Sequence, residues 1–173
     1  MYKIAVTGPE STGKTELSQR LAEYFGGNWV PEYAREYVEN LGRKYTFVDV
    51  CEIAKKQIED QNLFENDRNE GFVFFDTDLI ITKIWFEYCF QSVPDFVIAR
   101  LNKSFFDFYL LCDYDLDWIP DKVREHGEDR SYFFELYKNE IEKLSIPYAV
   151  ISGRNELRIE NAVSVIKKYF GIN

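Results

Sequence analysis

Met1-Tyr2-Lys3-Ile4-Ala5-Val6-Thr7-Gly8-Pro9-Glu10-Ser11-Thr12-Gly13-Lys14-Thr15 opens the chain, and Gly8, Gly13, Lys14 and Thr15 fit the pattern G-x-x-x-x-G-K-[ST]. The flanks are those that such a loop requires. A short apolar strand, Tyr2 to Val6, precedes it, and a helical pattern with Leu17, Leu21, Ala22 and Phe25 follows. In a strand-to-helix turn of this kind the backbone N–H groups converge and the helix N-terminus adds partial positive charge, so the turn forms an anion cradle. Gly8, Glu10, Ser11, Thr12 and Gly13 line that cradle. Lys14 reaches the β- and γ-phosphates, and the Thr15 hydroxyl ligates Mg²⁺. The stretch implies that the chain handles a nucleoside triphosphate.

Working outward, Gly26-Gly27-Asn28-Trp29-Val30 reads as a turn and a short strand, and Pro31 sits at the first position of a helix that runs to about Leu41 and is closed by Gly42. Thr46 with Asp49 three residues on is a capping box for a long polar helix through about Asn66. Phe72-Val73-Phe74-Phe75 is a continuous apolar run ending in Asp76, the pattern of a strand buried on both faces. A helix with Ile80, Ile84, Trp85 and Tyr88 at helical spacing follows, then a short helix from Pro94 to Asn102 and a fourth strand from Phe105 to Cys112. Asp113 to Arg130 is charged and irregular. A helix from Ser131 to Leu144, a fifth strand from Pro147 to Ile151 and a last helix ending near Phe170 complete the chain. Strands alternating with helices predict an α/β fold. It is a doubly wound, five-stranded parallel sheet with helices on both faces and a short lid, its ligands at the carboxyl ends of the strands. Residues 1–173 read as one domain, with no repeat or linker.

Composition narrows the partners. A formal net charge of −9 argues against nucleic acid, whose binding needs clustered Lys and Arg, and favours a small, cationic ligand. No apolar run approaches the ~20 residues of a membrane span, and Lys3 in the first strand does not suit a signal peptide, so the expected location is cytoplasmic. Cys51, Cys89 and Cys112 are widely spaced and odd in number, which points to reduced thiols and not to a zinc site or a disulfide framework. Nothing in the sequence speaks to oligomeric state.

Asp76 ends an apolar strand, where a carboxylate reaches Mg²⁺ or accepts a proton from an attacking hydroxyl; Asp78 crowds the same strand end or caps the next helix. Glu32, Arg35 and Glu36 in Glu32-Tyr33-Ala34-Arg35-Glu36 are spaced i, i+3 and i+4, on one helix face at the same edge of the sheet. They are either a solvated ion pair or, with Tyr33 and Asp78, groups of an acceptor site. Arg124 and Arg130, with Lys122, flank Gly127 and suit a lid that brings guanidinium groups over a transferring phosphate; the plain alternative is surface pairing with nearby Asp and Glu. His126, alone, suits a lid surface better than catalysis. Trp85, Tyr88 and Trp118 read first as packing, and a flat cationic ring would make Trp85 a binding residue. Ser152-Gly153-Arg154-Asn155, after the fifth strand, is where adenine often rests in such sheets, which nominates Arg154.

With the Gly8–Thr15 loop, Glu32-Tyr-Ala-Arg-Glu36, Phe75-Asp-Thr-Asp78 and Asp117-Trp-Ile-Pro-Asp-Lys-Val-Arg124 together, the chain resembles the kinase domain of the NadR family over nearly its whole length. That resemblance implies a P-loop kinase using ATP and Mg²⁺ to phosphorylate nicotinamide riboside to nicotinamide mononucleotide. Lys14 and Thr15 would bind phosphate and metal, Asp76 would be the metal-linked carboxylate or base, and Arg124 and Arg130 would be lid groups. Two other functions fit the same motifs. One is a kinase for another nucleoside or small metabolite; the other is a nucleotide-dependent regulatory or sensor module without an acceptor.

Overall fold

The computed structural model describes residues 1–67, 69–121, 127 and 129–172. Its five strands are β1 (Tyr2–Thr7), β2 (Asn28–Val30), β3 (Phe72–Asp76), β4 (Phe108–Cys112) and β5 (Tyr148–Ile151), all parallel, in the order β2-β3-β1-β4-β5. The helices are α1 (Lys14–Phe25), α2 (Tyr33–Asn40), α3 (Phe47–Leu63), α4 (Leu79–Phe90), α5 (Asp95–Leu101), α6 (Arg130–Leu144) and α7 (Glu156–Phe170). The expected fold is borne out. Among the described residues no helix is long and apolar enough to cross a membrane.

The alternation of side chains along each strand divides the core. Ile4, Val6, Phe72, Phe74, Phe108 and Leu110 face α1 and α7, packing on Leu17, Leu21, Ala162 and Ile166. Ala5, Val73, Phe75, Tyr109 and Leu111 face the other way, onto Ile80 and Ile84 of α4 and Phe133, Tyr137 and Ile141 of α6. Because both faces are covered, β3 is apolar up to its terminal Asp76 and β4 from Phe108 to Cys112 has no charged residue, and every residue of each is buried. Truncating a central ring such as Phe74, which has no exposure at all, costs about 3–5 kcal/mol. A third cluster, with Val50, Ala54, Leu79, Phe86 and Val97, joins α3, α4 and α5.

Element boundaries differ from expectation for local reasons. Glu32 is the N-cap of α2 with extended φ and ψ, so Pro31 lies two residues before the helix instead of at its first position. The Thr46/Asp49 capping box is present, with the Asp49 carboxylate accepting from both the Thr46 N–H (2.7 Å) and hydroxyl (2.6 Å). Its helix ends at Leu63, three residues short of Asn66. Phe105 and Phe106 stay out of β4: the chain turns through Ser104 at φ +49°, and the Asp107 carboxylate accepts from the Lys3 N–H at 2.7 Å. Arg130, placed by the sequence in the irregular stretch, opens α6.

Candidate functional site

The loop between β1 and α1 is shaped by a close approach. A Cβ on Gly8, whose φ is +141°, would stand 2.7 Å from the Cys112 carbonyl oxygen at the end of β4, so only glycine lets the loop lie against that strand. Ser11 (φ +58°) and Gly13 (φ +73°) take the other left-handed positions. The loop then closes on itself: the Thr12 hydroxyl and the Lys14 Nζ both donate to the Pro9 carbonyl, each at 2.8 Å. Thr15 stands in the first turn of α1.

The two aspartates at the end of β3 have different surroundings. The Thr77 N–H donates to the Val6 carbonyl (3.0 Å) with Thr77 at φ +72°, and the chain reverses there. Asp76 is 3% exposed, and neither carboxylate oxygen has a hydrogen-bond partner among the described residues. Burial raises its pKa, against the opposing pull of the Thr15 hydroxyl, Lys14 and Arg35. Asp78, 2% exposed, caps α4 and is occupied: Tyr109 Oη donates to it at 2.9 Å and Thr7 Oγ1 at 3.4 Å. Burial pushes its pKa up to about 6, with the Tyr109 hydroxyl holding it from going further.

A cleft of about 390 Å³ begins at the loop, with Glu10, Lys14 and Thr15 on its wall, and runs away from it between α2, α4 and α6. Its far wall is apolar and aromatic: Ile84, Trp85 and Tyr88 from α4, Phe133 and Tyr137 from α6, and Tyr45. The Tyr45 and Trp85 rings meet edge to face with centroids 4.7 Å apart. Glu32 and Arg35 bring charge to the same cleft from the α2 side. Burial raises the pKa of Tyr137, and negative Glu10, Asp78 and Glu32 add to the effect, so this phenol stays neutral.

The residues nominated by sequence separate into groups. Gly8, Glu10, Ser11, Thr12, Gly13, Lys14, Thr15, Glu32, Arg35 and Trp85 share the cleft. Tyr33 instead borders a small adjoining hollow of about 20 Å³ with Asp76 and Asp78. Glu36 is exposed and is not on the cleft wall, which sets it apart from the acceptor group in which the sequence placed it with Glu32. Arg35 pairs with Glu39 (3.1 Å) and, across to the loop after β4, with Asp121 (2.7 Å). Arg130 donates to the Leu116 carbonyl at 2.7 Å, and Arg154 reaches the Asp117 carboxylate at 3.4 Å and the Asp115 carbonyl at 3.1 Å. Arg124, with Lys122 and His126, lies outside the described residues.

Sequence reasoning did not identify Tyr45, Phe133 or Tyr137 as cleft residues, since Phe133 and Tyr137 arrive by the packing of α6 on α4 and Tyr45, between α2 and α3, by its contact with Trp85. It also passed over Arg158. Arg158 falls on the buried stripe of α7 with Ile159, Ala162 and Ile166, and a cation at an apolar position is a signal legible in the sequence.

Fold and site together define a P-loop nucleotide-binding domain built on the plan of the nucleoside and nucleotide kinases. The chain belongs to the AAA domain family, whose model matches residues 3–158. Among curated proteins it is similar to the trifunctional NAD biosynthesis/regulator protein NadR of Escherichia coli (strain K12), 25% identical over 177 residues that cover 97% of this chain, and to that of Salmonella typhimurium, 26% identical over 181 residues. The chain spans 42% of the length of each of these relatives. Among solved structures it is similar to NadR protein in complex with NR, with a TM-score of 0.77, 26% identity, and coverage of 99% of this chain and 52% of that one. Deoxyadenosine kinase from M. mycoides, 15% identical with a TM-score of 0.60 over 96% of this chain and 100% of its own, shares the fold. The likeness to NadR proteins that the motifs implied is thus borne out.

Proposed function

We propose that this chain, read as one domain over residues 1–173, is an ATP-dependent kinase that phosphorylates the 5′-hydroxyl of nicotinamide riboside to nicotinamide mononucleotide. The observation that carries the proposal is the cleft itself, which joins a phosphate-binding loop to an aromatic wall, with the Glu32 carboxylate on its α2 side. Nicotinamide riboside has a flat, permanently cationic ring. Such a ring gains from the Trp85 and Tyr45 faces and from the Glu32 charge, as well as from a chain of net charge −9. The solved NadR structure in complex with NR, 26% identical across 99% of this chain, supports the same acceptor.

In this reading Gly8 and Gly13 shape the loop, and Ser11, Thr12 and Lys14 hold the triphosphate. Lys14 leaves the Pro9 carbonyl for the γ-phosphate. Thr15 and Asp76 fit Mg²⁺, because a buried carboxylate without a hydrogen-bond partner beside a hydroxyl is a hard oxygen donor set. When bound, Mg²⁺ neutralises charge on the phosphate oxygens. The 5′-oxygen attacks the γ-phosphorus, the bond to the β–γ bridging oxygen breaks, and ADP leaves. We assign the proton released from the 5′-hydroxyl to Glu32, the carboxylate that lines the cleft beyond the loop. Arg130 and Arg124 serve the transferring phosphate as lid groups, and the activity is cytoplasmic.

The test is kcat/KM for nicotinamide riboside, uridine and adenosine under identical Mg²⁺–ATP conditions. Nicotinamide riboside is expected to exceed both neutral nucleosides at least about tenfold, since one desolvated charge contact supplies the necessary ~1.4 kcal/mol. A neutral nucleoside that equals it would make this a general nucleoside kinase. No stimulation of ADP release by any acceptor would favour a sensor.

A further inference from the structure

Arg158 puts a guanidinium on the buried face of α7, where its neighbours are Ile159, Ala162 and Ile166. The residue is 3% exposed, and removing that charge from water is costly unless its N–H groups are satisfied. They are. Nε donates to the Gly153 carbonyl (2.9 Å), Nη1 to the Ile151 carbonyl (2.9 Å), and Nη2 to the Asp113 carbonyl (3.2 Å) and to the Asp115 carboxylate. The second Asp115 oxygen accepts from the Gly153 N–H at 2.6 Å. None of these acceptors lies in α7. All belong to two chain segments, 113–115 after β4 and 151–153 where β5 ends, which the pair fixes to each other together with the Asp113 N–H donating to the Ile151 carbonyl (2.9 Å).

The position of these segments gives the pair its meaning. The acceptor cleft leaves the phosphate loop on the side of α2, α4 and α6. With the γ-phosphate turned toward that cleft, the rest of the nucleotide must leave on the opposite side, over the carboxyl ends of β4 and β5. The segment after β4 continues straight onto the phosphate loop: Leu116 Cδ1 is 3.3 Å from where a Cβ on Gly13 would stand, and Ser11 Oγ donates to the Asp117 carbonyl (3.2 Å) and accepts from the Ile119 N–H (3.0 Å). Arg154, from the other segment, closes the span on Asp115 and Asp117.

We infer that the buried Arg158–Asp115 pair positions the nucleoside end of the triphosphate site, holding at a fixed separation the two segments between which the base and ribose rest. The inference rests on the nucleotide reading of the phosphate loop. A leucine at 158 would leave the Gly153 and Asp113 carbonyls and one Asp115 oxygen without this donor, and would reduce the ties between the segments to the Asp113 N–H on the Ile151 carbonyl (2.9 Å), the Gly153 N–H on Asp115 and the exposed Arg154.

The experiment measures equilibrium binding of two probes, AMP-PNP and inorganic tripolyphosphate, to the wild type, Arg158→Met and Asp115→Asn, together with ATP kinetics. Tripolyphosphate engages the loop alone. Both variants are expected to weaken AMP-PNP about tenfold or more while tripolyphosphate binding stays within about twofold. KM for ATP should rise in parallel, with kcat at saturating ATP within about threefold and KM for the acceptor unchanged. Equal weakening of both probes would make the pair a general support of the phosphate loop, and no change in either would make it a fold element only; both results overturn the inference. If Arg158→Met does not fold, Asp115→Asn decides, because it is isosteric and the Asp115 side chain is already 32% exposed. Wild-type protein that binds neither probe would overturn the nucleotide reading, and this inference with it.

Discussion

Lys14 Nζ lies 2.8 Å from the Pro9 carbonyl, a neutral acceptor within its own loop, and an ammonium held this way is ready to exchange a weak partner for a phosphate. The contribution expected of it is charge stabilisation in the transition state. Lys14→Ala should lower kcat/KM by about 100-fold or more, near 3 kcal/mol, with an unchanged circular dichroism spectrum. Asp76 makes a separable prediction. Burial raises its pKa, so the folded chain favours the protonated form, and the ionised carboxylate costs stability as pH rises through that raised pKa. Asp76→Asn removes that cost. The variant should melt no lower than wild type in EDTA at neutral pH, should lose the rise in Tm that Mg²⁺ gives the wild type, and should lose most of kcat. A large fall in Tm without metal would show that Asp76 holds the fold and not the cation.

Between α2 and α3 the chain turns a corner that is held by one carboxylate. Asp49 accepts from both ends of the Arg43 guanidinium (2.7 and 2.8 Å), from Thr46 and from Tyr37 Oη (3.0 Å). Arg43 first, then Thr46, keeps its pKa well below the ordinary carboxylate range. A depressed folded-state pKa contributes stability that is present above the unfolded value of about 3.9 and is lost as pH falls below it. Asp49→Asn should therefore lower Tm equally at pH 7 and pH 5, and the deficit should narrow near pH 3. Thermal melts at the three values check it. The capping half of this corner was legible, since Thr46 and Asp49 carry a local signal. The arms from Tyr37 and Arg43 were not, because they depend on how α2 folds back on α3. The same division holds at the site: the phosphate loop and the Asp76 strand end are local patterns and were read directly, whereas the cleft wall exists only once α6 packs on α4 to bring Phe133 and Tyr137 and the turn before α3 lays Tyr45 on Trp85. Asp78 read as a strand-end site group or an N-cap, and its partner Tyr109, which comes from β4, was not legible.

At the scale of the molecule, acidity is a long-range property that any cationic substrate meets before contact. The field of a net −9 chain is screened over about 10 Å at 0.1 M salt. With ATP saturating, kcat/KM for nicotinamide riboside should fall as KCl is raised from about 50 to about 300 mM, while that for uridine should hold nearly constant. Parallel curves for the two acceptors would confine recognition to the cleft wall.

The strand that supports Gly8 carries its own chemical timer. Cys112 has no exposure, and burial pushes its thiol up to about 11, so in the closed molecule it offers an alkylating reagent neither access nor thiolate. Cys89 is exposed. Iodoacetamide at neutral pH should modify Cys89 promptly, and Cys112 at the frequency with which the centre of the sheet opens. Nucleotide on the loop above Cys112 should slow the second reaction without altering the first, as mass spectrometry of the two peptides over time would show. Should Cys112 react as fast as Cys89, the sheet beneath the loop opens freely. A slow Cys112 makes the rate of a simple covalent reaction a measure of how often the phosphate loop loses its floor.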